Sequence, residues 1–406
     1  MNTVYFARYI YLDNEQILHN GAITVNGNRI VDVGPRSTVK RTRDDRMVNL
    51  GDMLLLPGLI NMHTHLEECA SRGIEKLPEE TFASYTNKRN SRIKQTPKES
   101  LPSMMRLCVR EMIADGTTCI VDSSRTGLSK EVLKDESIRS WVIKELHEDC
   151  SIRSPNVLNS LTNDAGNSSL CTLGAGPHAL YSLSEPAQKE IIDFTQKNNC
   201  LWATHLAESS EELQAFCEHA GDLYFHQTRK REWPFKKTKH GSVHYAINSK
   251  LIPHGGVCFH CNYINGEQLS YLSSEQVALV LCFRYNQMMG HKSFPLEVAL
   301  NRGATICLGT EGVAAAGEMS LFDELYAIKT QHPHLDVKEM LRWVTVNPAR
   351  ALNMSDTLGS ISPGKFADIV GVHFAVDTTE TMLEELLIEE PEVRFVLVNG
   401  EEVIVT

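Results

Sequence analysis

The sequence predicts an α/β protein in which a parallel barrel occupies the middle of the chain and a small β-sandwich is built from both ends. Three observations support this fold class. Residues 1–56 contain short strands of alternating character, residues 57–356 alternate apolar runs with amphipathic segments, and residues 357–406 return to the first pattern. Two β-rich ends around a different middle indicate one discontinuous β domain beside a larger βα domain.

The chain begins with three strand-like stretches that are separated by turn residues: TVYFARYIYL, GAITVNGNRIVDVG and RMVNLGDMLLLPG. Aromatic and β-branched residues dominate them, as is typical of strands in small sheets. The end of the chain contains the same kind of stretch, in SISPGKFADIVGVHF and RFVLVNGEEVIVT. We therefore expect residues 1–56 and 357–406 to form one β-sandwich domain.

The middle of the chain, residues 57–356, contains apolar runs that are short enough to be buried strands. Amphipathic sequence such as KESLPSMMRLCVREMIADG lies between them, which is the order of βα units in a parallel barrel. The pattern alone allows six to nine strands. The strand candidates are LLLPGLINMHTH, TTCIVDS, SWVIKELHE, TLGAGPHA, LWATHLAE, GVCFHCN, VALVLCF and ATICLGT.

The composition is that of a globular protein. Of 406 residues, 42% are hydrophobic and 22% are charged, and the net charge is −11. This acidic balance argues against a broad nucleic-acid-binding surface. The basic cluster at 228–240 is interpreted as a solvated insertion loop rather than as a nucleic-acid or membrane patch.

Cysteine usage and hydropathy indicate a cytoplasmic protein without a membrane partner. The eleven cysteines are irregularly spaced, and several lie inside apolar runs, where a reduced cysteine is a small core residue. The first residues do not have the basic and apolar regions of a secretory signal. No apolar run approaches the ~18 residues of a membrane span. A homodimer is compatible with the sequence.

Polar side chains that bind metals are found where the predicted strands end. A parallel barrel carries its functional residues at the carboxyl ends of its strands, and side chains at positions i and i+2 of a strand share a face. Histidines from the first and fifth runs and a carboxylate from the eighth form a shell of three nitrogens and one oxygen. Such a shell suits one zinc ion, or ferrous iron, with an open position for water. The polar residues at strand ends are His63, His65, His178, His205, His260 and Glu311.

Each of these histidines alone is weak support, because sixteen are present and a single histidine is usually a core or surface residue. Their coincidence at successive strand ends favours a metal site over chance. Glu208 follows His205 by three residues, and a carboxyl group there is able to carry protons between the metal site and a substrate. The alternative is that Glu208 only begins a helix, where acidic residues favour the dipole.

The motifs PGLINMHTHLE, GPHALYSLSE, THLAESSEE, HCNYI, GTEG and NPARALN…GSISPGKFADIVG resemble the amidohydrolase superfamily, and in particular its purine and nucleoside deaminases. The resemblance covers nearly the whole chain. It implies a (β/α)8 TIM-type barrel with one catalytic divalent metal, and a β-sandwich from both termini. It makes His63, His65 and His205 metal ligands, Glu208 the proton shuttle, and His260 a partner of the hydrolytic water.

The resemblance also implies the reaction, which is hydrolysis of a C–N bond of a cyclic amidine. Water attacks the amine-bearing carbon of a 6-aminopurine nucleoside, Glu208 protonates the ring nitrogen, Glu311 takes the proton of the water, and ammonia leaves. His178 becomes a substrate-binding residue. The HTHLE motif and the sequence after THLAE look most like the deaminases that convert 6-amino-6-deoxyfutalosine to futalosine in menaquinone biosynthesis. In that comparison Glu67 reaches toward polar groups of the nucleoside.

Two departures from the pattern matter for function. Relatives carry Asp where this chain has Glu311, and a shift of ~1 Å in a catalytic group can cost about 10²-fold in rate. Relatives read Cys-Pro-x-Ser-Asn at strand seven, where this chain keeps Asn286, a further expected substrate-binding residue, but has Phe283 and Tyr285. Three alternatives therefore stay open: deamination of adenosine, methylthioadenosine or S-adenosylhomocysteine, hydrolysis of a cyclic amide or chlorinated ring, and a non-catalytic protein.

Overall fold

The middle of the chain forms a barrel of eight parallel strands in the computed structural model, which describes residues 1–12, 15–147, 170–229, 232–373, 382–387 and 391–403. The barrel strands follow one another in chain order. A parallel bridge between Thr64 and Glu311 joins the first strand to the segment after the last. The predicted (β/α)8 barrel is confirmed. Its strands are β6 (Leu59–Thr64), β7 (Thr117–Ser124), β8 (Arg139–Leu146), β9 (Cys171–Pro177), β10 (Leu201–Leu206), β11 (Val257–His260), β12 (Ala278–Leu281) and β13 (Thr305–Leu308).

The two ends of the chain meet in a second, mixed sheet, which confirms that both termini build one β unit beside the barrel. Its main strand order is β16-β15-β14-β5-β1-β2-β3, with β4 also paired to β1. Strand β5 joins the two halves, because it pairs with β1 from the N-terminal part and with β14 from the C-terminal part. Residues 13–14, 374–381, 388–390 and 404–406 of the predicted β domain lie outside the described residues. The strands are β1 (Thr3–Tyr11), β2 (Ile17–Asn26), β3 (Arg29–Pro35), β4 (Arg46–Asn49), β5 (Met53–Pro57), β14 (Ile369–His373), β15 (Val393–Val398) and β16 (Glu401–Glu402).

Helices connect the barrel strands and cover their outer side. None of the helices in the described ranges is long and apolar enough to cross a membrane. The helices are α1 (Phe82–Gln95), α2 (Leu101–Ala114), α3 (Leu128–Leu133), α4 (Glu185–Asn198), α5 (Ser210–Glu218), α6 (Gly221–Thr228), α7 (Gly241–Ser249), α8 (Gly266–Ser274), α9 (Phe283–Met289), α10 (Leu296–Asn301), α11 (Val313–Ala316), α12 (Leu321–Gln331), α13 (Val337–Arg342), α14 (Val346–Ala351) and α15 (Met382–Glu385).

The barrel interior is filled by residues at positions i and i+2 of successive strands. Ile60 and Met62 of β6 share one buried cluster with Phe259 of β11 and Val280 of β12, and only the inside of a closed barrel brings these faces together. Cys119, like the other cysteines predicted to be core residues, is buried and unpaired. This packed core supports the floor of the polar site at the carboxyl ends of the strands.

The described part of the basic cluster 228–240 is anchored by aromatic contacts. Trp233 and Phe235 lie with their ring centres 5.3 and 5.0 Å from that of Phe216 on α5. Lys236, Lys237 and Lys239 are exposed, so a solvated insertion fits these contacts. Residues 230 and 231 lie outside the described part of the chain.

Candidate active site

The four predicted metal ligands meet at the carboxyl ends of the barrel strands. The ligand atoms of His63, His65, His205 and Glu311 all lie within 4.8 Å of one another. His65 Nε2 is 3.2 Å from His205 Nε2, and His63 Nε2 is 2.6 Å from Glu311 Oε2. All four residues are buried. The sequence therefore predicted a cluster that the fold brings together from three separate parts of the chain.

The chemistry of this cluster fits a divalent metal. The two ring nitrogens of His63 and the Oε2 atom of Glu311 are buried, and none of these three atoms makes a well-aligned hydrogen bond. Buried polar atoms are rarely left unpaired. Burial lowers the pKa of His65 to about 3, so its imidazole is neutral and has a lone pair to offer. Three imidazole nitrogens and one carboxylate oxygen are a common zinc donor set.

The proton on His205 is fixed by its neighbour. His205 Nδ1 lies 2.7 Å from the backbone oxygen of His178, and a carbonyl oxygen only accepts hydrogen bonds, so Nδ1 must donate. The lone pair of His205 is therefore on Nε2, which faces His65. For the same reason the nearby group of Glu145, His178 and His205 is not a second metal shell, because His205 has no free lone pair on that side.

Local backbone structure places the Glu311 carboxylate. Strand β13 ends at Leu308, and the chain then passes so close to β6 that a Cβ atom on Gly309 would lie 2.6 Å from the Cβ of His63. The amides of Thr310 and Glu311 donate to the His63 carbonyl. Glu311 has φ +61°, which is uncommon for a residue other than glycine and is often found at functional sites.

Glu208 and His260 lie beside the ligand cluster. Glu208 Oε1 accepts a hydrogen bond of 2.6 Å from the Tyr285 hydroxyl and is 4.0 Å from His260 Nε2. His260 Nε2 is also 3.9 Å from Glu311 Oε2. Burial, together with the charge of Glu311, raises the pKa of Glu208 to about 8, and the Tyr285 hydrogen bond opposes this shift. A carboxyl group with such a pKa holds a proton at neutral pH and is able to deliver it.

The strand-seven departure has a structural meaning. Tyr285, which stands at the serine position of the relatives, is the hydrogen-bond donor to Glu208. Asn286 lies behind His260, where its Oδ1 is 3.3 Å from His260 Nδ1, and it exchanges two hydrogen bonds with Asn262. These contacts orient the His260 ring with Nε2 toward the ligand cluster. The expected contact of Asn286 with a substrate stays a prediction.

Glu67 lines the pocket but directs its carboxylate at the β7–α3 connection. It accepts hydrogen bonds from the Ser124 hydroxyl, from the amides of Thr126, Gly127 and Leu128, and from the Thr126 hydroxyl. A carboxylate with this many donors is firmly held. The contacts favour an indirect part for Glu67, in shaping the loop beside the substrate.

His178 lines the pocket together with two residues that sequence reasoning missed, Glu145 and His147. The ring centres of His178 and His147 are 4.8 Å apart. The His178 Nδ1 atom and the Glu145 Oε1 atom are buried and have no hydrogen-bond partner. The spacing of Glu145 and His147 at the end of β8 is the same as that of His63 and His65 at the end of β6. That spacing is the signal that could have identified them.

Helix α1 covers the pocket from the other side. Its residues Phe82, Thr86, Arg89, Asn90 and Ile93 line the cavity, at spacings that place them on one face of a helix. Arg89 is buried and pairs with Glu68, which is 2.7 Å away. Sequence reasoning missed both charges, and nothing in the local pattern distinguishes Arg89 from the exposed basic residues around it.

The chain matches known proteins along nearly its full length. Residues 54–403 match the model of the amidohydrolase family. A curated relative, the 5-methylthioadenosine/S-adenosylhomocysteine deaminase of Teredinibacter turnerae, is 23% identical over 384 residues, which cover 88% of this chain and 80% of the relative.

Two solved structures share the fold. The aminofutalosine deaminase of Helicobacter pylori in complex with methylthio-coformycin superimposes with a TM-score of 0.86 at 19% identity, covering 99% of this chain and 100% of that one. An adenosine deaminase of Xanthomonas campestris with bound zinc gives a TM-score of 0.83 at 20% identity, covering 98% of this chain and 92% of that one. At these identities the structures establish the fold alone. Since the family model spans most of the sequence, the chain belongs to the amidohydrolase family.

Proposed function

We propose that this protein is a metal-dependent hydrolytic deaminase of a 6-aminopurine nucleoside, with one divalent ion per chain and zinc as the favoured metal. The observation that carries the proposal is one buried cluster of three histidines and Glu311 with Glu208 and His260 beside it, next to a pocket that His65, His205, Glu208 and Glu311 line. A deaminase relative and two structural neighbours named as deaminases support the same class of reaction.

The residues divide the chemistry between them. His63, His65, His205 and Glu311 would hold a divalent metal, which would supply Lewis acidity and lower the pKa of water toward ~7. Glu208 lies on the pocket side of the cluster and holds the proton that the ring nitrogen requires. His260, with its Nδ1 hydrogen facing Asn286, presents Nε2 to the reacting centre. Overall, a C–O bond forms from water, the exocyclic C–N bond breaks, and ammonia leaves.

The polar wall formed by His178 and Glu145 fits the sugar of a nucleoside. Both side chains line the pocket and have buried polar atoms without a partner, and hydroxyl groups of a ribose are able to satisfy an acceptor and a donor together. We propose 6-amino-6-deoxyfutalosine as the substrate. Adenosine, methylthioadenosine and S-adenosylhomocysteine are the second candidates: the curated relative is named for the last two, and a structural neighbour is named for adenosine.

A substrate panel tests the proposal. The zinc-loaded protein is incubated with free adenine, adenosine, methylthioadenosine, S-adenosylhomocysteine and aminodeoxyfutalosine, and deamination is followed by the change in purine absorbance and by ammonia release. We expect the highest kcat/KM for aminodeoxyfutalosine and little turnover of adenine. A higher kcat/KM for methylthioadenosine or S-adenosylhomocysteine would replace the substrate assignment. No turnover of any of them by a zinc-loaded, folded protein would contradict the proposal and favour either hydrolysis of a cyclic amide or chlorinated ring or the non-catalytic alternative.

Tyr285→Phe is expected to lower kcat by about tenfold with a smaller change in KM, because the Tyr285 hydroxyl orients the Glu208 carboxyl group and such a hydrogen bond contributes roughly 0.5–1.5 kcal/mol. The Tyr285 hydroxyl lowers the pKa of Glu208, so its removal raises that pKa. If protonated Glu208 is the active form, the limb of the pH–rate profile where activity falls at high pH moves to higher pH. The measurement is a pH–rate profile of both proteins.

The matched control for this experiment is Tyr326→Phe, because Tyr326 is half exposed on α12 and should leave the profile unchanged. An unchanged kcat and pH limb in Tyr285→Phe would mean that the hydroxyl does not act on the proton shuttle.

A further inference from the structure

Three charged side chains lie together on the outer side of the metal-ligand cluster: Arg89 and Glu311, which are buried, and Glu68, whose side chain is 17% exposed. Arg89 Nη1 on α1 lies 2.7 Å from Glu68 Oε2 and 3.8 Å from Glu311 Oε1. The side chains of Arg89 and Glu311 are 6% and 3% exposed. Burying a cation costs free energy unless an opposite charge compensates it. The carboxylates of Glu68 and Glu311 provide this compensation for Arg89.

The two oxygens of Glu311 face different groups. Oε2 is 2.6 Å from His63 Nε2, on the side of the metal ligands. Oε1 is 3.7 Å from His65 and 3.8 Å from Arg89. A glutamate has one more rotatable bond than the aspartate of the relatives, so its carboxylate needs an external contact to keep one orientation. Arg89 lies where it attracts Oε1 and leaves Oε2 to the metal.

Glu68 and Tyr85 hold Arg89 in this place. The guanidinium lies 5.3 Å from the centre of the Tyr85 ring. The Tyr85 hydroxyl lies 3.2 Å from the carbonyl oxygen of Ile74 and 3.5 Å from that of Ala314, three residues after Glu311. Glu68 packs on the same segment, since a Cβ atom on Gly312 would lie 3.0 Å from Glu68 Oε2. The Nε and Nη1 atoms of Arg89 are buried without a well-aligned hydrogen bond, so packing fixes the guanidinium and its charge remains available to Glu311.

We propose that Arg89, held by Glu68, is a positioning residue for the Glu311 carboxylate and thereby sets the metal affinity of the site. The inference rests on the metal site of the proposed function. It also accounts for the departure at strand eight, because a longer carboxylate serves as a metal ligand when a cation on a neighbouring helix fixes its free oxygen. Partners behind metal ligands typically contribute 10–100-fold to metal affinity.

The test is a double-mutant cycle on zinc affinity, measured by competition with a chromophoric chelator. We expect Arg89→Met to weaken zinc binding by about 10–100-fold, and Glu311→Asp to weaken it in the wild-type background. In the Arg89→Met background, the factor by which Glu311→Asp weakens zinc binding should be at least threefold smaller than in the wild-type background, because the orienting contact is already lost. Arg89→Lys, which keeps the charge, should restore part of the affinity.

Arg92→Met is the matched control, because Arg92 is exposed on the same helix and should leave the zinc affinity unchanged. If Arg89→Met does not fold, as judged by the thermal unfolding of the metal-free protein, Glu68→Gln takes its place in the same cycle. Additive effects of the two substitutions, or an affinity that does not depend on residue 89 or 68, would overturn the proposal.

Because zinc binding is measured without substrate, the two proposals can fail separately. A protein whose zinc affinity depends on Arg89 but which deaminates nothing would contradict only the proposed function. A deaminase whose zinc affinity is independent of Arg89 and Glu68 would contradict only the positioning role.

Discussion

Glu208→Gln is expected to lower kcat by about 10²–10⁴-fold while the protein keeps its metal. The amide has nearly the shape of the carboxyl group and still accepts the Tyr285 hydrogen bond of 2.6 Å, so the pocket stays intact. It has no proton to exchange with a ring nitrogen. The measurements are steady-state kinetics with the best nucleoside of the panel and the zinc content of the purified variant.

The control for this substitution is Glu218→Gln, an exposed position of α5, where the same change of charge should leave kcat unaltered. A Glu208→Gln variant that turns over at the wild-type rate would remove Glu208 from the proton path. Loss of both zinc and activity would instead place Glu208 in the metal shell. The two contrary results therefore point to different corrections.

The barrel could be predicted from sequence because most of its strands are buried on both faces and therefore appear as apolar runs. Every residue of β6 and β7 is buried. Strand β9 illustrates why the sequence pattern alone left the number of barrel strands between six and nine. Cβ atoms on its Gly174 and Gly176 would lie 2.6 and 1.7 Å from backbone oxygens of β10. The packing requires glycine there, and glycine weakens the strand signal.

The cluster of proposed metal ligands could be predicted for a different reason: a histidine at the end of an apolar run is conspicuous against Val, Ile and Leu. The residues that surround the ligands were not conspicuous in this way. Arg89 lies in a helix of mostly polar residues, and its burial depends on how α1 packs over the barrel mouth. Asn286 was expected at the substrate, but its observed hydrogen bonds are with His260 and Asn262. Tertiary contacts of this kind have no local sequence signature.

Removal of the metal is expected to abolish deamination and to lower the thermal unfolding midpoint, and added zinc should restore both. A ligand that binds only the folded state stabilises it by RT ln(1 + [L]/Kd), about 4 kcal/mol when the free ligand is at ~1,000 times its Kd. Without the cation, His63 and Glu311 keep buried polar atoms that have no well-aligned partner. The measurements are activity and thermal unfolding after dialysis against a chelator, and again after reconstitution.

His65→Gln separates loss of the metal from a direct effect of the chelator. Its Nε2 atom lies 3.2 Å from that of His205 and 3.7 Å from Glu311, so His65 belongs to the same shell and its loss should weaken zinc binding severely. The variant should be inactive, and neither chelator nor zinc should shift its unfolding midpoint by more than a small fraction of the wild-type change. Full deamination by thoroughly chelated wild-type protein would show that the reaction does not depend on a metal. The same residues would then have to activate water through their own protonation equilibria.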